Sequence, residues 1–474
     1  MSNLKEQYLK FLQLEEELGL FYRKIGGIRY WELSRVEVFL TLYERKVGGG
    51  PSKPSKFKGL TKLLFYIKSL FNLLKNPFFC SQKEILFSGG QRRVLTEDGK
   101  WWDIHIDPLL DKLNLSYMSL EYPINLEHYG PTKTSFLYYF DVLITIGFLR
   151  RKLGLTKIHI TADDLEILRQ IQAEVNRRFE VNLDILDIII NRLHERQALF
   201  PLCLKLLKRV KPKLVVMVTN YARKSLVEAC KLLKIPTIEI QHGVISPYHP
   251  GYSFPKCAYN NVDFPNYLLV FGDYWKDVAA YPINKENIIS VGYPYLEKKI
   301  QQYSRSKRKK QIVFISQSRI GVPISKFAVN LCNVPDLDYK IIYKLHPREV
   351  SDWRTRYPWL ASANIEVIDT LGTDLYKLLG ESMIQVGVSS TAIYEGLAYG
   401  LRTFLLDVLG VEYFDTLIQT KLVHKVSSVD EMVRLLRSNE KEESVDSSIL
   451  FSPDGVEQTI NFLNSIYNKI TEHS

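Results

Sequence analysis

A histidine and a proline that follow a strand-like run are the first residues whose types could carry chemistry. The run YKIIY is followed at once by Lys344, Leu345, His346 and Pro347. A histidine at a strand end can bond a phosphate or the edge of a nucleobase, and Pro347 fixes the backbone so that the chain turns. We therefore predict that His346 and Pro347 bind a ligand. The alternative is an incidental histidine before a strand-ending proline.

Three consecutive hydroxyl side chains follow a second strand-like run and begin a predicted helix. They are Ser389, Ser390 and Thr391, within GVSSTAIYEGLAYG. A helix N-terminus presents free N–H groups and partial positive charge, so it binds phosphate well. Because N-capping needs only one hydroxyl, the run of three favours a phosphate site. Glu395, one turn inside the helix, is predicted to hold ribose hydroxyls; the alternative is a solvent-facing glutamate.

The third candidate is His242, which precedes a glycine in the segment IEIQHGVISPYHPGY. This segment ends the last predicted strand of the first half of the chain. A histidine titrates near neutrality, so His242 could take a proton from an acceptor hydroxyl or contact a phosphate. The alternative is a structural histidine held by hydrogen bonds.

The fourth candidate is the polar segment SGGQRRVLTEDGKWWDIHIDPLL, which follows the first predicted strand. Two glycines give a turn, and carboxylates, arginines and two tryptophans follow within a short stretch. Aromatic faces with carboxylates suit sugar binding, and one carboxylate could act as a general base. The alternative is a polar surface loop.

The candidate residues share a position in the predicted fold. From Glu84 onward, short β-type runs alternate with helical stretches, which is the βαβ pattern of parallel sheets. Two such series predict an α/β fold with two Rossmann-like parallel-sheet domains, parting within residues 261–300, and an N-terminal helical extension. Ligands of open parallel sheets bind at the carboxyl ends of the strands. We expect the histidine and hydroxyl motifs of the second half to end neighbouring strands and to share one phosphate.

The sequence predicts four segments. Residues 1–79 form a helical extension with a basic amphipathic segment, preceded by a glycine- and proline-containing linker. Residues 80–265 form an acceptor domain, residues 266–445 a nucleotide-donor domain, and residues 446–474 a C-terminal helix.

The segment Lys53–Phe79 carries an apolar stripe at helical spacing with lysines beside it. Lys62 lies nearly opposite the stripe, and Lys68 and Lys75 flank it. This pattern predicts a helix that lies on an anionic membrane surface. A helix packed on its own protein is the alternative. The stripe consists of Leu60, Leu63, Leu64, Ile67, Leu70, Phe71 and Leu74.

Composition narrows the partners and the location. The chain has 474 residues, 46% of them hydrophobic, and a formal net charge of +11, which favours anionic partners. No nucleic-acid recognition motif accompanies this charge, so no nucleic-acid partner is predicted. A charged N-terminus, five scattered cysteines and no long apolar run predict a cytoplasmic protein, peripheral at the inner membrane face. Asp336 and Asp338 form the one DxD pattern, but it precedes a strand, so no metal site is predicted.

Residues 80–440 resemble GT-B glycosyltransferases of bacterial capsule, O-antigen and teichoic-acid assembly in motif order and spacing. His-Pro at 346–347 followed by hydroxyls at 389–391 resembles the donor signature of bacterial GT-B sialyltransferases. It is also similar to capsule Kdo transferases and CDP-glycerol glycerophosphotransferases. The resemblance implies that these residues grip the phosphate and cytidine of a CMP- or CDP-linked donor. The QHG element is similar to histidine-glycine segments of the capsule and glycerophosphotransferase enzymes. The triplet Glu97-Asp98-Gly99 resembles the acidic motif that carries the sialyltransferase base, which implies Asp98 as base.

These patterns predict a metal-independent glycosyltransferase of surface-polysaccharide biosynthesis, for capsule or O-antigen. A sugar would pass from a nucleotide-activated donor, CMP-linked, to a glycan or lipid-linked acceptor, with His242 or Asp98 as the base. The donor is a substrate, and no cofactor is predicted. The alternatives are a CDP-glycerol-type polyol-phosphate transferase, a sugar-nucleotide epimerase of the same architecture, and a non-catalytic nucleotide- or carbohydrate-binding protein of the same pathway.

Overall fold

Two parallel sheets form the centre of the two halves of the molecule. The computed structural model describes residues 4–46, 59–90, 92–303, 305–370, 372–438 and 446–472. The described strands are β1 (Ile85–Ser88), β2 (Arg93–Leu95), β3 (Trp101–Asp103), β4 (Tyr117–Glu121), β5 (Leu137–Tyr139), β6 (Leu214–Val218), β7 (Thr237–Ile240), β8 (Tyr267–Val270), β9 (Ile288–Ser290), β10 (Gln311–Ile315), β11 (Lys340–Lys344), β12 (Glu366–Ile368), β13 (Ile384–Gly387), β14 (Arg402–Leu406) and β15 (His424–Val426).

Helices cover both faces of the two sheets. The described α-helices are α1 (Leu4–Glu17), α2 (Tyr30–Lys46), α3 (Gly59–Phe71), α4 (Asp107–Leu110), α5 (Asp141–Lys152), α6 (Ala162–Phe179), α7 (Ile185–Val210), α8 (Lys224–Leu232), α9 (Pro294–Tyr303), α10 (Gly321–Cys332), α11 (Trp353–Arg356), α12 (Pro358–Ala361), α13 (Leu375–Glu381), α14 (Thr391–Ala398), α15 (Asp415–Gln419), α16 (Val429–Arg437) and α17 (Gly455–Glu472). Strands β1, β6, β7, β10 and β13 are buried at every position, as expected of a parallel sheet between helical layers.

The predicted α/β class with two Rossmann-like parallel-sheet domains is confirmed. The first sheet has the order β5-β4-β1-β6-β7-β8-β9, and the second has the order β12-β11-β10-β13-β14-β15. Every neighbouring pair in both sheets is parallel. The carboxyl ends of the strands within each sheet therefore meet at one edge, where the sequence motifs were expected to lie.

The predicted boundary between the two halves, at residues 265 and 266, is wrong. Strands β8 and β9 pair with the first sheet, in continuation of β7, so the first half extends to Ser290. The boundary was misplaced because an apolar run such as YLLV fits either sheet equally well. The second sheet begins with β10 at Gln311.

The two chain termini both pack on the first half. Helices α1 and α2 form the predicted N-terminal extension, with the fully buried Trp31 and Phe11 in contact between them. The predicted C-terminal helix is present as α17, and it returns to the first half. Its Leu463 joins the apolar cluster of β1, β6 and β7, and its Tyr467 Oη donates a hydrogen bond to Glu84, 2.6 Å away. The C-terminal segment is therefore part of the first domain.

Helix α3 presents most of its apolar stripe to solvent. It packs on α5, where Ser69 Oγ lies 2.5 Å from Thr145 Oγ1. Of the residues in this helix, only Phe65 and Ser69 are buried. The linker at residues 48–56 and the first residues of the predicted amphipathic segment lie outside the described residues. Within the part of the chain that the structure describes, no helix is long and apolar enough to cross a membrane. The exposed stripe side chains of this region are Leu60, Leu63, Leu64, Ile67, Leu70, Phe71 and Leu74.

The polar segment after β1 folds back on itself, and one β-type run farther along the chain forms no strand. Strands β2 and β3 form an antiparallel hairpin whose turn contains Asp98. One of the short β-type runs after Glu84, KIHIT at residues 157–161, is irregular in the structure and leads into α6. Its last residue, Thr161, forms a capping box with Asp164, so its hydrogen bonds start a helix instead.

Candidate active site

The carboxyl edges of the two sheets face each other across one cleft. Gly243 follows β7, and a Cβ placed on it would lie 3.7 Å from Thr391 Oγ1 at the start of α14. Close by, Arg92 of the first half is 3.7 Å from the carboxylate of Glu395, and its Nη2 lies 3.4 Å from Tyr376 Oη. The His242 motif and the hydroxyl motif are thus brought together, from different halves.

His242 belongs to a chain of hydrogen bonds that ends on a buried carboxylate. Its Nδ1 lies 3.3 Å from Tyr252 Oη, and Tyr252 Oη donates to Glu239 Oε1 at 2.7 Å. Glu239 also accepts from the backbone and side-chain nitrogens of Asn220. Because the single proton of Tyr252 is used on Glu239, the tyrosine oxygen accepts from Nδ1–H of His242. That tautomer leaves Nε2 of His242 without a proton, 3.5 Å from Tyr221 Oη.

The environment of His242 favours its neutral form. Burial lowers its pKa to about 4, and the positive charge of Arg223 acts in the same direction. A neutral imidazole with an unprotonated Nε2 can accept a proton at neutral pH.

The loop that carries His242 is held from behind by the N-terminal extension. The guanidinium of Arg35, 1% exposed, pairs with Glu15 at 2.8 Å and donates to the carbonyl of Pro250. Tyr8 Oη donates to the carbonyl of Ser253 at 2.6 Å. The extension, to which the sequence assigned no role at the site, therefore fixes the backbone on which His242 stands.

The three hydroxyls at the start of α14 have different partners. Ser390 Oγ accepts from the backbone N–H of Ala392 at 3.3 Å, so it is the N-cap. Ser389 Oγ donates to Gln317 Oε1 at 2.8 Å, and Gln317 Nε2 donates back to the carbonyl of Ser389 at 2.5 Å. Thr391 faces Gly243. Capping therefore accounts for one hydroxyl, and the other two line the cleft edge together with Gln317, which the sequence did not single out.

His346 stands at the same edge of the second sheet, but farther from the hydroxyls than expected. It follows β11, and β10 lies between β11 and β13, so the motifs do not end neighbouring strands. That expectation is wrong, and two strand spacings put the loops about 10 Å apart. His346 Nδ1 accepts from the backbone N–H of Arg348 at 3.2 Å, while Pro347 is exposed. Burial lowers the pKa of His346, so the neutral ring carries its proton on Nε2 as a donor.

Glu395 is not the solvent-facing glutamate that was the alternative for it. Its side chain is 1% exposed and lies against Arg92 of the opposite half. Burial raises its pKa, and Arg92 opposes that rise. Its role toward ribose stays a prediction.

Asp98 is exposed at the surface. Asp98 lies in the turn of the β2–β3 hairpin, where it accepts from Thr96 Oγ1 and is 3.4 Å from Lys133 Nζ. The hydrogen bond from Thr96 lowers its pKa, which makes the carboxylate a weaker base. The hairpin turn thus holds Asp98 at the surface, and its role as a base stays a prediction.

Two residues of the same polar segment are titratable and buried. Asp103 and His105 lie beside the two glycines that follow β1: a Cβ on Gly89 would be 2.8 Å from Asp103 Oδ2, and one on Gly90 3.2 Å from His105 Nδ1. Burial raises the pKa of Asp103 to about 7 and lowers that of His105 to about 3. The neighbouring His242 and Arg92 act on the pKa of His105 in the same direction as burial. The paired glycines were the sequence signal for this close approach.

The fold and this cleft define a class: an α/β protein of GT-B architecture, with two Rossmann-like domains whose carboxyl edges face each other. No family model matches the chain, and no curated protein matches it. Among the described residues, no group of three or more His, Cys, Asp or Glu side chains could hold a metal ion.

Three solved structures are examples of a similar chain course. The UDP-GlcNAc 2-epimerase of Methanocaldococcus jannaschii is 11% identical, with 80% of this chain and 99% of that chain covered and a TM-score of 0.47. MurG of Acinetobacter baumannii is 10% identical, with 80% of this chain and 98% of that chain covered and a TM-score of 0.45. The wall teichoic acid polymerase TagF is 11% identical, with 88% of this chain and 99% of that chain covered and a TM-score of 0.42. At such identities, side-chain chemistry does not carry over from one chain to another.

Proposed function

We propose that this chain is a glycosyltransferase that moves a sugar from a nucleotide-activated donor to an acceptor hydroxyl in the cleft. One observation carries the proposal. A neutral histidine, His242, which is hydrogen-bonded through Tyr252 to Glu239, lies at one sheet edge, and the N-terminus of α14 lies at the other. A proton acceptor and a site for developing negative charge are the two groups that such a transfer needs.

In the proposed reaction, His242 Nε2 takes the proton of the acceptor hydroxyl. The acceptor oxygen forms a bond to the donor sugar carbon, and the bond from that carbon to the nucleotide phosphate breaks. Tyr252 and Glu239 stabilise the imidazolium through Nδ1–H. The backbone N–H groups that begin α14, Ser389 or Thr391, and Nε2–H of His346 meet the charge on the departing phosphate.

The donor and pathway follow from the sequence resemblance. The His-Pro and hydroxyl motifs support a CMP-linked sugar as donor and surface polysaccharide, capsule or O-antigen, as product. The two cleft-edge loops, about 10 Å apart, can hold separate parts of one nucleotide. His346 would then contact one end of the nucleotide, and the start of α14 its phosphate.

A donor screen tests the proposal. The full chain is incubated with CMP-, CDP-, UDP- and GDP-linked donors and a mixture of glycan and lipid-linked acceptors, with and without EDTA, and products are identified by mass. We expect sugar transfer from a CMP-linked donor, unchanged by EDTA. Transfer of a polyol phosphate would favour the CDP-glycerol-type alternative, and an isomerised donor would favour the epimerase. Nucleotide binding without turnover of any donor would contradict a transferase.

A further inference from the structure

A groove beside the cleft has the size of a ligand site and mostly apolar walls. It has a volume of about 720 Å³, within the range of roughly 300–1,000 Å³ typical of small-molecule sites. We call it the α2–α7 groove, because these helices form its long sides and α5 and the start of α8 complete it. Its apolar lining includes Leu33, Val36, Leu40, Ile144, Leu199 and Leu226.

Among the described residues, Arg223 is a cation of the groove for which no carboxylate partner is found. The side chain of Arg223 is only 7% exposed, and it contacts Ser88 Oγ at 3.3 Å, the carbonyl of Gly89 at 3.5 Å, that of Ala222 at 3.3 Å and the ring of Tyr122 at 3.4 Å. None of these is an anion, and burial holds its pKa below the usual value.

The other cations that line the groove are all neutralised. Arg192 pairs with Glu37 at 2.6 Å, Arg196 with Glu228, and Lys224 with Glu32 at 3.2 Å. A buried charge without a counter-charge is unfavourable, and proteins pair such groups. Among the described lining residues, Arg223 is therefore the one whose missing partner points to an anionic ligand.

The groove reaches the proposed base. Arg223 contacts Ser88 at the carboxyl end of β1, and its positive charge lowers the pKa of His242. Tyr221 lines the groove and lies 3.5 Å from His242 Nε2. A ligand with its anionic group at Arg223 is thus held at the edge from which His242 acts.

We propose that the α2–α7 groove binds the lipid phosphate portion of an acceptor whose sugar carries the hydroxyl that reaches His242. Its phosphate pairs with Arg223, and its hydrocarbon chain lies along the apolar walls that α2, α5 and α7 provide. The proposal rests on the proposed function, because it names the acceptor class of that transfer. It also gives the N-terminal extension a second task, since α2 supplies Leu33, Val36 and Leu40 to the groove.

The location of α3 fits a lipid in this groove. Ile144 of α5 lines the groove, and the next residue, Thr145, bonds Ser69 of α3. The helix with the exposed apolar stripe therefore packs on α5, which forms one wall of the groove. A hydrocarbon chain that leaves a membrane at α3 would have a short path into the groove.

Binding of farnesyl monophosphate to the full chain, measured by calorimetry, tests the proposal. Farnesol and inorganic phosphate are the comparison ligands, and the variants are Arg223→Gln, Leu40→Glu and, as a matched control, the exposed Arg169→Gln. We expect Arg223→Gln to weaken farnesyl monophosphate binding ten- to a hundredfold, and Leu40→Glu several-fold, with no change for Arg169→Gln. Farnesol should bind more weakly and ignore Arg223→Gln.

Two outcomes would contradict the proposal that the groove binds a lipid phosphate. One is farnesyl monophosphate binding that neither Arg223→Gln nor Leu40→Glu changes; another is inorganic phosphate that binds as tightly as the farnesyl ester. If Arg223→Gln does not fold, Leu40→Glu decides, because Leu40 is 49% exposed and tolerates a charge. Cytidine nucleotides are titrated in parallel, and their failure to bind would count against the proposed function. If nucleotides bind but neither variant changes the affinity for farnesyl monophosphate, only the proposal of a lipid phosphate in the groove is rejected.

Discussion

The two sheet edges that form the cleft are built from different chemistry. The edge of the first sheet is rich in titratable groups, among them the buried His105 and Arg223 and the half-buried His242. The edge of the second sheet offers hydroxyls, an amide and a helix N-terminus, with His346 half-buried. Burial moves pKa values, whereas hydroxyls and free N–H groups hold an anion without titrating. The difference fits the proposed function, in which the first edge transfers the proton and the second edge holds the donor phosphate.

The largest effect is expected at the first edge. His242→Asn removes the proposed base, and we expect kcat to fall by about 10²- to 10⁴-fold, the usual contribution of general base catalysis, with donor affinity little changed. Turnover with the best donor found in the screen is the measurement. His159→Asn, at an exposed histidine, is the matched control, and Asp98→Asn tests the rival base. Full activity in His242→Asn, or a large loss in Asp98→Asn, would reverse the assignment of the base.

The pH profile sharpens the same half of the comparison. A pKa of about 4 for His242 means that its basic form is present above that value and is lost as the pH falls through it. We expect kcat/KM to stay level from neutral pH downward and then to drop about tenfold per unit below pH 4. Circular dichroism at each pH controls for unfolding. An acid limb near the ordinary histidine value would show that burial does not hold His242 neutral.

At the second edge, smaller losses should appear in binding. His346→Ala removes one donor to a charged group, and we expect nucleotide affinity to fall about ten- to a hundredfold, or ~1.5–3 kcal/mol; Ser390→Ala should lose less. Because β10 separates the two loops, the losses should add in the double variant, as independent contacts do. Calorimetry with CMP and CDP measures all four proteins. Strong non-additivity would instead put both residues on one phosphate, and unchanged affinity in His346→Ala would remove it from the donor site.

The smallest effect lies outside both edges, on α3. Each lysine near an anionic membrane surface contributes about 1 kcal/mol, so Lys68→Glu should weaken sedimentation with anionic liposomes by about fivefold or more. Lys100→Glu, at an exposed position in the hairpin, is the control of equal charge change. Indifference of the intact protein to anionic liposomes at low salt would leave α3 as a structural helix only.

Local pattern was sufficient for part of the candidate site. The apolar run before Ser389 and the helix-forming residues after it predict a strand followed by a helix, and β13 and α14 are found there. The same holds for His242 after β7 and His346 after β11. Strand ends are local features, so their chemistry could be located from the sequence.

What depends on distant contacts could not be predicted. Arg92 and Glu395 are far apart in sequence, and the ion pair between them appears only when two domains meet. Likewise, Asp98 and Asp103 lie in one polar segment, and only the hairpin decides that the first is exposed and the second buried. The order of strands within a sheet is equally nonlocal, which is why β10 was not expected between the two donor motifs.

The chain passes between the halves twice, and the two crossings touch. On the first crossing, Glu297 of α9 accepts hydrogen bonds from the backbone N–H groups of Asp454 and Gly455 on the second, at 3.1 and 3.0 Å. A Cβ on Gly292 would lie 2.3 Å from the carbonyl oxygen of Ser452, so the two backbones are in direct contact there. Two connecting segments that are bonded side by side have the geometry of a hinge. Such a hinge permits rotation of one half on the other about a single line and opposes sliding and twisting. A rotation about this line is the motion that would open the cleft, and it would separate Arg92 from Glu395.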